Sequence, residues 1–119
     1  MRKTTSTNSR NRIVLGESCV LNDALGRLAL RWKMPVLHSI CNGATTYGEL
    51  RKLLPTVTHQ MLAKRLRELV DEGLAVKIEG RRGEGPRYAG TPAAEAVLVI
   101  MEDICAWEKQ HTKRGASAP

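Results

Sequence analysis

The residues with the clearest chemical potential fall in one run, Thr58-His59-Gln60-Met61-Leu62-Ala63-Lys64-Arg65-Leu66-Arg67. Leu62, Leu66, Leu69 and Val70 recur at helical spacing and define an apolar side. His59, Gln60, Lys64, Arg65 and Arg67 are then read as the outward set, with no acid before Glu68. Such a face offers hydrogen-bond donors and fixed positive charge. Its start adds unpaired backbone N–H groups at the positive end of the helix dipole, where they and Thr58 can meet a phosphate. His59 and Gln60 suit base edges, whereas Lys64 and Arg67 suit phosphate oxygens. A second basic cluster, Arg81, Arg82 and Arg87, is interleaved with Gly80, Gly83 and Gly85. Those glycines match neither a P-loop nor a dinucleotide fingerprint.

Other chemistries find no support. Carboxylates pair only as Asp71-Glu72 and Glu102-Asp103, both on helix surfaces, and no nucleophile is spaced with a base. The chain therefore does not read as an enzyme, and no cofactor motif is present. Cys19, Cys41 and Cys105 are odd in number and widely spaced, which is not a disulfide framework. His38 and Cys41 alone are too few ligands for zinc, so no metal is expected.

Nineteen Lys and Arg against twelve Asp and Glu give a net charge of +7, which suits a polyanion. No apolar run approaches the roughly 18 residues that span a bilayer. The basic N-terminus has no apolar stretch of the kind a signal peptide needs. These features predict a cytoplasmic protein that avoids membranes. Trp32, Tyr47, Tyr88 and Trp107 are the only aromatics, which argues against base stacking on single strands or RNA. The polyanion that remains is double-stranded DNA.

The elements needed to position these groups are legible in the periodicity. Residues 1–15 read as a flexible basic arm, 16–110 as the folded domain and 111–119 as a disordered tail. From Cys19, Val20, Leu21, Ala24, Leu25 and Leu28 line one helical face. A second helix begins near Leu30 to Trp32, takes Pro35 in its first turn and stops at Asn42-Gly43. Thr46 and Glu49 form a capping box for a short third helix with Tyr47, Leu50, Leu53 and Leu54 inward. Pro55 ends it. Thr58 caps a fourth helix, His59 to Glu72, closed by Gly73.

The period then changes to two, with Leu74, Val76 and Ile78 alternating against Ala75 and Lys77 as a half-buried strand. Arg87-Tyr88-Ala89 returns as its partner, leaving a basic loop at the tip. Thr91-Pro92 opens a last helix to about Gln110. That helix is apolar all round through Ala96 to Met101, then Ile104, Cys105 and Trp107, more than one core-facing stripe requires. Short helix, tight turn, longer helix and basic hairpin make a mainly α, α+β winged helix-turn-helix, its terminal helices free to form a homodimer.

The chain also resembles the HxlR-type winged-helix regulators, relatives of the MarR-like group. The resemblance rests on Cys19, Trp32-Lys33, Glu49-Leu50, Leu62-Ala63-Lys64-Arg65-Leu66-Arg67-Glu68-Leu69, Gly73-Leu74, Tyr88-Ala89-Gly90-Thr91 and Trp107. It departs at Val20, Leu30-Arg31, Gly90 and Ala94, where the family pattern has Pro, glycines, Leu and Gly. The resemblance implies a transcription regulator, expected to repress from a pseudo-palindromic operator. It carries a thiol-sensing role onto Cys19, and a small-molecule effector is also compatible. From the residues alone, a protein-interaction module and a non-specific architectural DNA-binding protein remain open.

Overall fold

The computed structural model describes residues 16–112. The arm expected at 1–15 and residues 113–119 of the tail expected at 111–119 lie outside them. The described residues fall into two units that meet in sequence at Met34 and Pro35. In the first, residues 16–28 form helix α1, with Cys19 already inside it. Val20, Leu21 and Leu25 form an exposed apolar side. Trp32 takes the left-handed backbone region (φ 73°), uncommon for a residue with a bulky side chain.

α2 spans Lys33–Cys41, α3 Tyr47–Leu53, α4 His59–Asp71 and α5 Pro92–His111, with β1 at Ala75–Ile78 and β2 at Arg87–Gly90. The helices begin where the caps dictate. Thr46 accepts from the Glu49 N–H while the Glu49 carboxylate reaches back, the reciprocal box expected. Thr58 accepts from the Met61 N–H and Thr91 from the Ala94 N–H, with Pro92 at the first turn of α5. Each such cap contributes about 1 kcal/mol to its helix. Gly43 (φ 108°) and Gly73 (φ 77°) supply the left-handed stops after α2 and α4.

The core is aliphatic. Val36, Leu37 and Ile40 of α2, Leu50 of α3, Val57 of the turn and Leu62, Leu66 and Leu69 of α4 are all buried. Removing one such leucine side chain costs about 2–5 kcal/mol. β1 and β2 run antiparallel, with Ala75 opposite Gly90 and Ile78 opposite Arg87. Arg87 also bridges to Thr46, and the Tyr88 N–H donates to the Thr45 carbonyl at 2.7 Å. The hairpin is thereby sewn to the chain that opens α3. At its base the Thr91 hydroxyl donates to the Gly73 carbonyl (2.6 Å) and its N–H to that of Leu74 (3.2 Å).

Two expectations are corrected. Leu53 is 59% exposed, so α3 buries only Leu50 fully; Leu54, four residues after Leu50, is half-buried, and Leu53 falls on the outer side of that line. The strand phase also differs. Leu74 and Ala75 are buried, whereas Val76 and Ile78 are both about half exposed (46% and 50%). The phase is the reverse of that expected: Ala75 and, opposite Lys77, Tyr88 are buried, so their face of the hairpin packs inward and Val76 and Ile78 lie on the other face.

Candidate nucleic-acid interface

The buried leucines fix the roll of α4 about its axis, and that roll decides what faces out. Gln60, Lys64 and Arg67 are exposed and follow one another at four- and three-residue steps, a single stripe on the solvent side. Thr58 and His59 are exposed at the stripe's N-terminal end. The Thr58 hydroxyl oxygen is engaged with the Met61 N–H at 3.1 Å. Helix geometry leaves the N–H groups of the preceding positions without intrahelical acceptors.

Arg65 is a correction. It is 5% exposed and its Nη1 donates to Glu68 Oε1 at 2.7 Å. Three residues before Glu68 and one before Leu66, it lies at the edge of the buried face, where its stem packs and its charge is matched. It therefore leaves the outward set and becomes part of what fixes α4.

The turn between α3 and α4 is held from within. Val57 is buried, its N–H donates to Leu54 at 3.2 Å, and its carbonyl accepts from Arg51 Nη1. The two helices are further joined at their starts. Tyr47, first residue of α3, places its hydroxyl 2.6 Å from Nδ1 of His59, first residue of α4. Their rings are nearly parallel, 5.7 Å apart at 11°. Sequence reading assigned Tyr47 only to the apolar stripe. The clue available was that both residues open the helices on either side of the turn.

Glu49 closes the cap at the start of α3. Hydrogen bonds from the backbone N–H groups of Thr46 and Thr45, joined by their hydroxyls, hold its carboxyl below the usual carboxylate range.

The wing carries the second basic cluster. Arg81, Arg82 and Arg87 are exposed. The Glu84 N–H donates to Arg81 at 2.8 Å, closing a turn whose third residue, Gly83, has φ 83°. That backbone conformation strains any residue with a side chain. Gly80 has a different requirement, since a Cβ there would lie 2.3 Å from the Gly85 carbonyl oxygen. Arg87 differs from its neighbours because its Nη1 donates to Thr45 Oγ1 at 3.2 Å. It anchors the wing beside α3, while Arg81 and Arg82 sit at the tip.

Among the described residues no group of three or more His, Cys, Asp or Glu is placed to hold a metal, and no helix is long and apolar enough to cross a membrane. Cys19 and Cys105 are exposed, whereas Cys41 is half-buried beside Gly90. Burial and then the Glu95 carboxylate push the Cys41 thiol up, which keeps it protonated.

Comparison with known proteins gives a consistent result. The family model for the HxlR-like helix-turn-helix matches residues 27–116. An uncharacterized HTH-type transcriptional regulator of Methanothermobacter thermautotrophicus is 30% identical over 95 residues, 78% of this chain and 72% of that protein. The HTH-type transcriptional regulator YkvN of Bacillus subtilis, also uncharacterized, is 32% identical over 78 residues, 65% of this chain and 66% of its own length. Among solved structures, a protein described as a MarR-family transcriptional regulator from Enterococcus faecalis V583 superposes with a TM-score of 0.74 at 25% identity, over 85% of this chain and 93% of that one. With its capped recognition helix and two-stranded wing, this chain is a transcriptional regulator with a helix-turn-helix DNA-binding fold, and it belongs to the HxlR-like helix-turn-helix family.

Proposed function

We propose that the protein is a cytoplasmic repressor that binds double-stranded DNA as a homodimer, inserting α4 into the major groove of each half of a pseudo-palindromic operator. The observation that carries this reading is the stripe Gln60-Lys64-Arg67 on the exposed side of a helix whose opposite side is fully buried. Gln60, in the first turn, is placed to meet base edges, and Lys64 and Arg67 to meet phosphates. Arg81 and Arg82 would grip the backbone beside the groove. Phosphate contacts release counterions and provide sequence-independent affinity. Gln60 then provides about 1–3 kcal/mol of discrimination if it makes a bidentate base contact.

The dimer is proposed from the helices that carry apolar surface away from the core. α5 exposes Val99, Ile100, Ile104 and Trp107, and α1 exposes Val20 and Leu21. A two-fold pairing of these faces would remove them from water and set two copies of α4 for half-sites about 34–36 Å apart. Cys19, exposed on α1, is the proposed redox contact. A hydroperoxide would convert its thiolate to a sulfenic acid, releasing an alkoxide or hydroxide, and a second thiol would condense with that acid with loss of water.

Fluorescence anisotropy with a duplex from upstream of the protein's own gene, and a scrambled duplex, at two salt concentrations, tests the reading. Tighter saturable binding to the upstream duplex supports it. Equal binding to both reduces it to architectural DNA binding, and no binding at physiological salt favours a protein partner for the basic face.

A further inference from the structure

The contact between Tyr47 and His59 adjoins the exposed Gln60 yet contributes little burial, since His59 is exposed and Tyr47 half-buried. A structural tie between α3 and α4 is already supplied by Val57, Arg51 and the leucine core. What the Tyr47 hydroxyl adds is chemical. A neutral imidazole has one nitrogen that donates and one that accepts, and the partner of one nitrogen decides the role of the other. Imidazole nitrogen is a strong acceptor, whereas a phenol oxygen is a weak acceptor and a good donor. At 2.6 Å the hydroxyl proton is therefore directed to Nδ1, ahead of the His59 carbonyl at 3.5 Å. That leaves the proton of the neutral ring on Nε2. Among the described residues Nε2 has no hydrogen-bond partner, and the parallel ring of Tyr47 restricts rotation of the imidazole.

We infer that Tyr47 is a positioning residue for DNA recognition, holding His59 as a neutral Nε2–H donor that reads a hydrogen-bond acceptor at the start of α4. The inference rests on the proposed entry of α4 into the major groove. A donor there selects purine N7, guanine O6 or thymine O4 on a base edge, or a phosphate oxygen. The first turn of a recognition helix lies against base edges in helix-turn-helix complexes, which favours the base. His59 and Gln60 would then read adjacent positions. Tyr47 would act without touching DNA, by keeping the imidazole in one tautomer and one orientation. With phenylalanine at 47 the stacking surface remains but the hydroxyl does not, so the ring would divide between tautomers and half of its encounters would present a lone pair to an acceptor.

The test has one arm without DNA and one with it. Long-range nitrogen–proton correlation spectra of the free protein, labelled with nitrogen-15, report the His59 tautomer directly. The wild type is expected as the Nε2–H form and Tyr47→Phe as a mixture. In the second arm, binding to the upstream duplex and to its single-base variants is compared for wild type, Tyr47→Phe, His59→Ala and the double variant. At the same base pair His59→Ala is expected to lose preference by about tenfold and Tyr47→Phe by about twofold, the share of encounters in the wrong tautomer, and the double variant to lose no more than His59→Ala alone. Replacing the contacted base by an analogue that lacks the acceptor (7-deazapurine for N7, 2-aminopurine for guanine O6, 5-methyl-2-pyrimidinone for thymine O4) should abolish the difference between wild type and His59→Ala; persistence of that difference on all of them, with its loss on a methylphosphonate at the neighbouring backbone position, assigns the acceptor to phosphate and overturns base reading. An Nδ1–H tautomer in a protein that discriminates sequences overturns this inference alone. A Tyr47→Phe variant with unchanged preference overturns the positioning role. A wild type that binds all duplexes alike overturns the regulator reading, and the role of Tyr47 with it, whatever the tautomer.

Discussion

Gly90 offers a perturbation whose size can be worked out from local geometry. It ends β2 opposite Ala75, and an ideal Cβ built on it falls 2.5 Å from Cys41 Sγ and 3.7 Å from Ala94 Cβ. Carbon-scale contacts are comfortable at about 3.5–4.0 Å, so the methyl of Gly90→Ala overlaps the sulfur by roughly 1 Å. The sulfur can turn about only one side-chain bond, beside Ala94 and near Glu95. Overpacking of this kind costs about 1–3 kcal/mol. Replacing a strand glycine by alanine returns about 0.5–1 kcal/mol of backbone entropy, leaving a net loss of up to about 2.5 kcal/mol. Cys41→Ala removes the obstructing atom. In that background Gly90→Ala should be neutral or slightly stabilising, a coupling equal to the overpacking cost of about 1–3 kcal/mol between residues in contact. Urea unfolding followed by circular dichroism reads all four members of the cycle. Equal losses in both backgrounds, within about 0.5 kcal/mol, would refute the steric reasoning. The same geometry accounts for a departure from the family pattern, since the space a leucine at position 90 would start to fill is held here by the Cys41 sulfur.

Arg65→Ala is expected to lower stability by roughly 1–3 kcal/mol through loss of packing and of the charge-assisted bond to Glu68, measured by thermal melting. Its salt dependence of DNA binding should stay that of wild type, and a shallower slope would return Arg65 to the contact face. Glu49 has a folded-state pKa below its unfolded value, so its contribution is present above the unfolded value, about 4.3. That contribution fades as pH falls through the folded one. Glu49→Gln should therefore be less stable than wild type at neutral pH, with the two curves converging in acid; a constant gap would mean that charge plays no part in the box. Cys41, buried in part and facing Glu95, should alkylate with iodoacetamide more slowly than Cys19 or Cys105 at neutral pH, and faster after Glu95→Gln. Mass spectrometry that found all three thiols modified at one rate would contradict the placement of Cys41.

The features most legible in the sequence were those with a local cause. Thr46, Thr58 and Thr91 each announce a helix start because a hydroxyl satisfies a nearby N–H, and Gly43 and Gly73 announce stops because only glycine takes a left-handed turn freely. The leucine spacing then gave the roll of α4, and with it the exposed stripe of Gln60, Lys64 and Arg67. The misreadings arose where tertiary position overrides pattern. Val76 and Ile78 alternate like core residues, but the face of the hairpin that packs inward is the other one, with Ala75 and Tyr88. Arg65 is as basic as Lys64, yet one step of 100° around the helix carries it to the packed edge. Tyr47 and His59 meet across a turn, a long-range contact that neither periodicity nor charge encodes.

In the proposed complex the exposed stripe of α4 divides its work, with Gln60 reading bases and Lys64 holding phosphate. Anisotropy titrations of Gln60→Ala and Lys64→Ala against the upstream duplex and its single-base variants, across a range of salt, measure that division. Gln60→Ala is expected to relax preference at one base pair and leave the salt slope unchanged. Lys64→Ala should weaken all duplexes alike and reduce the slope by about one unit. A change of base preference in Lys64→Ala, or full discrimination retained in Gln60→Ala, would contradict that division.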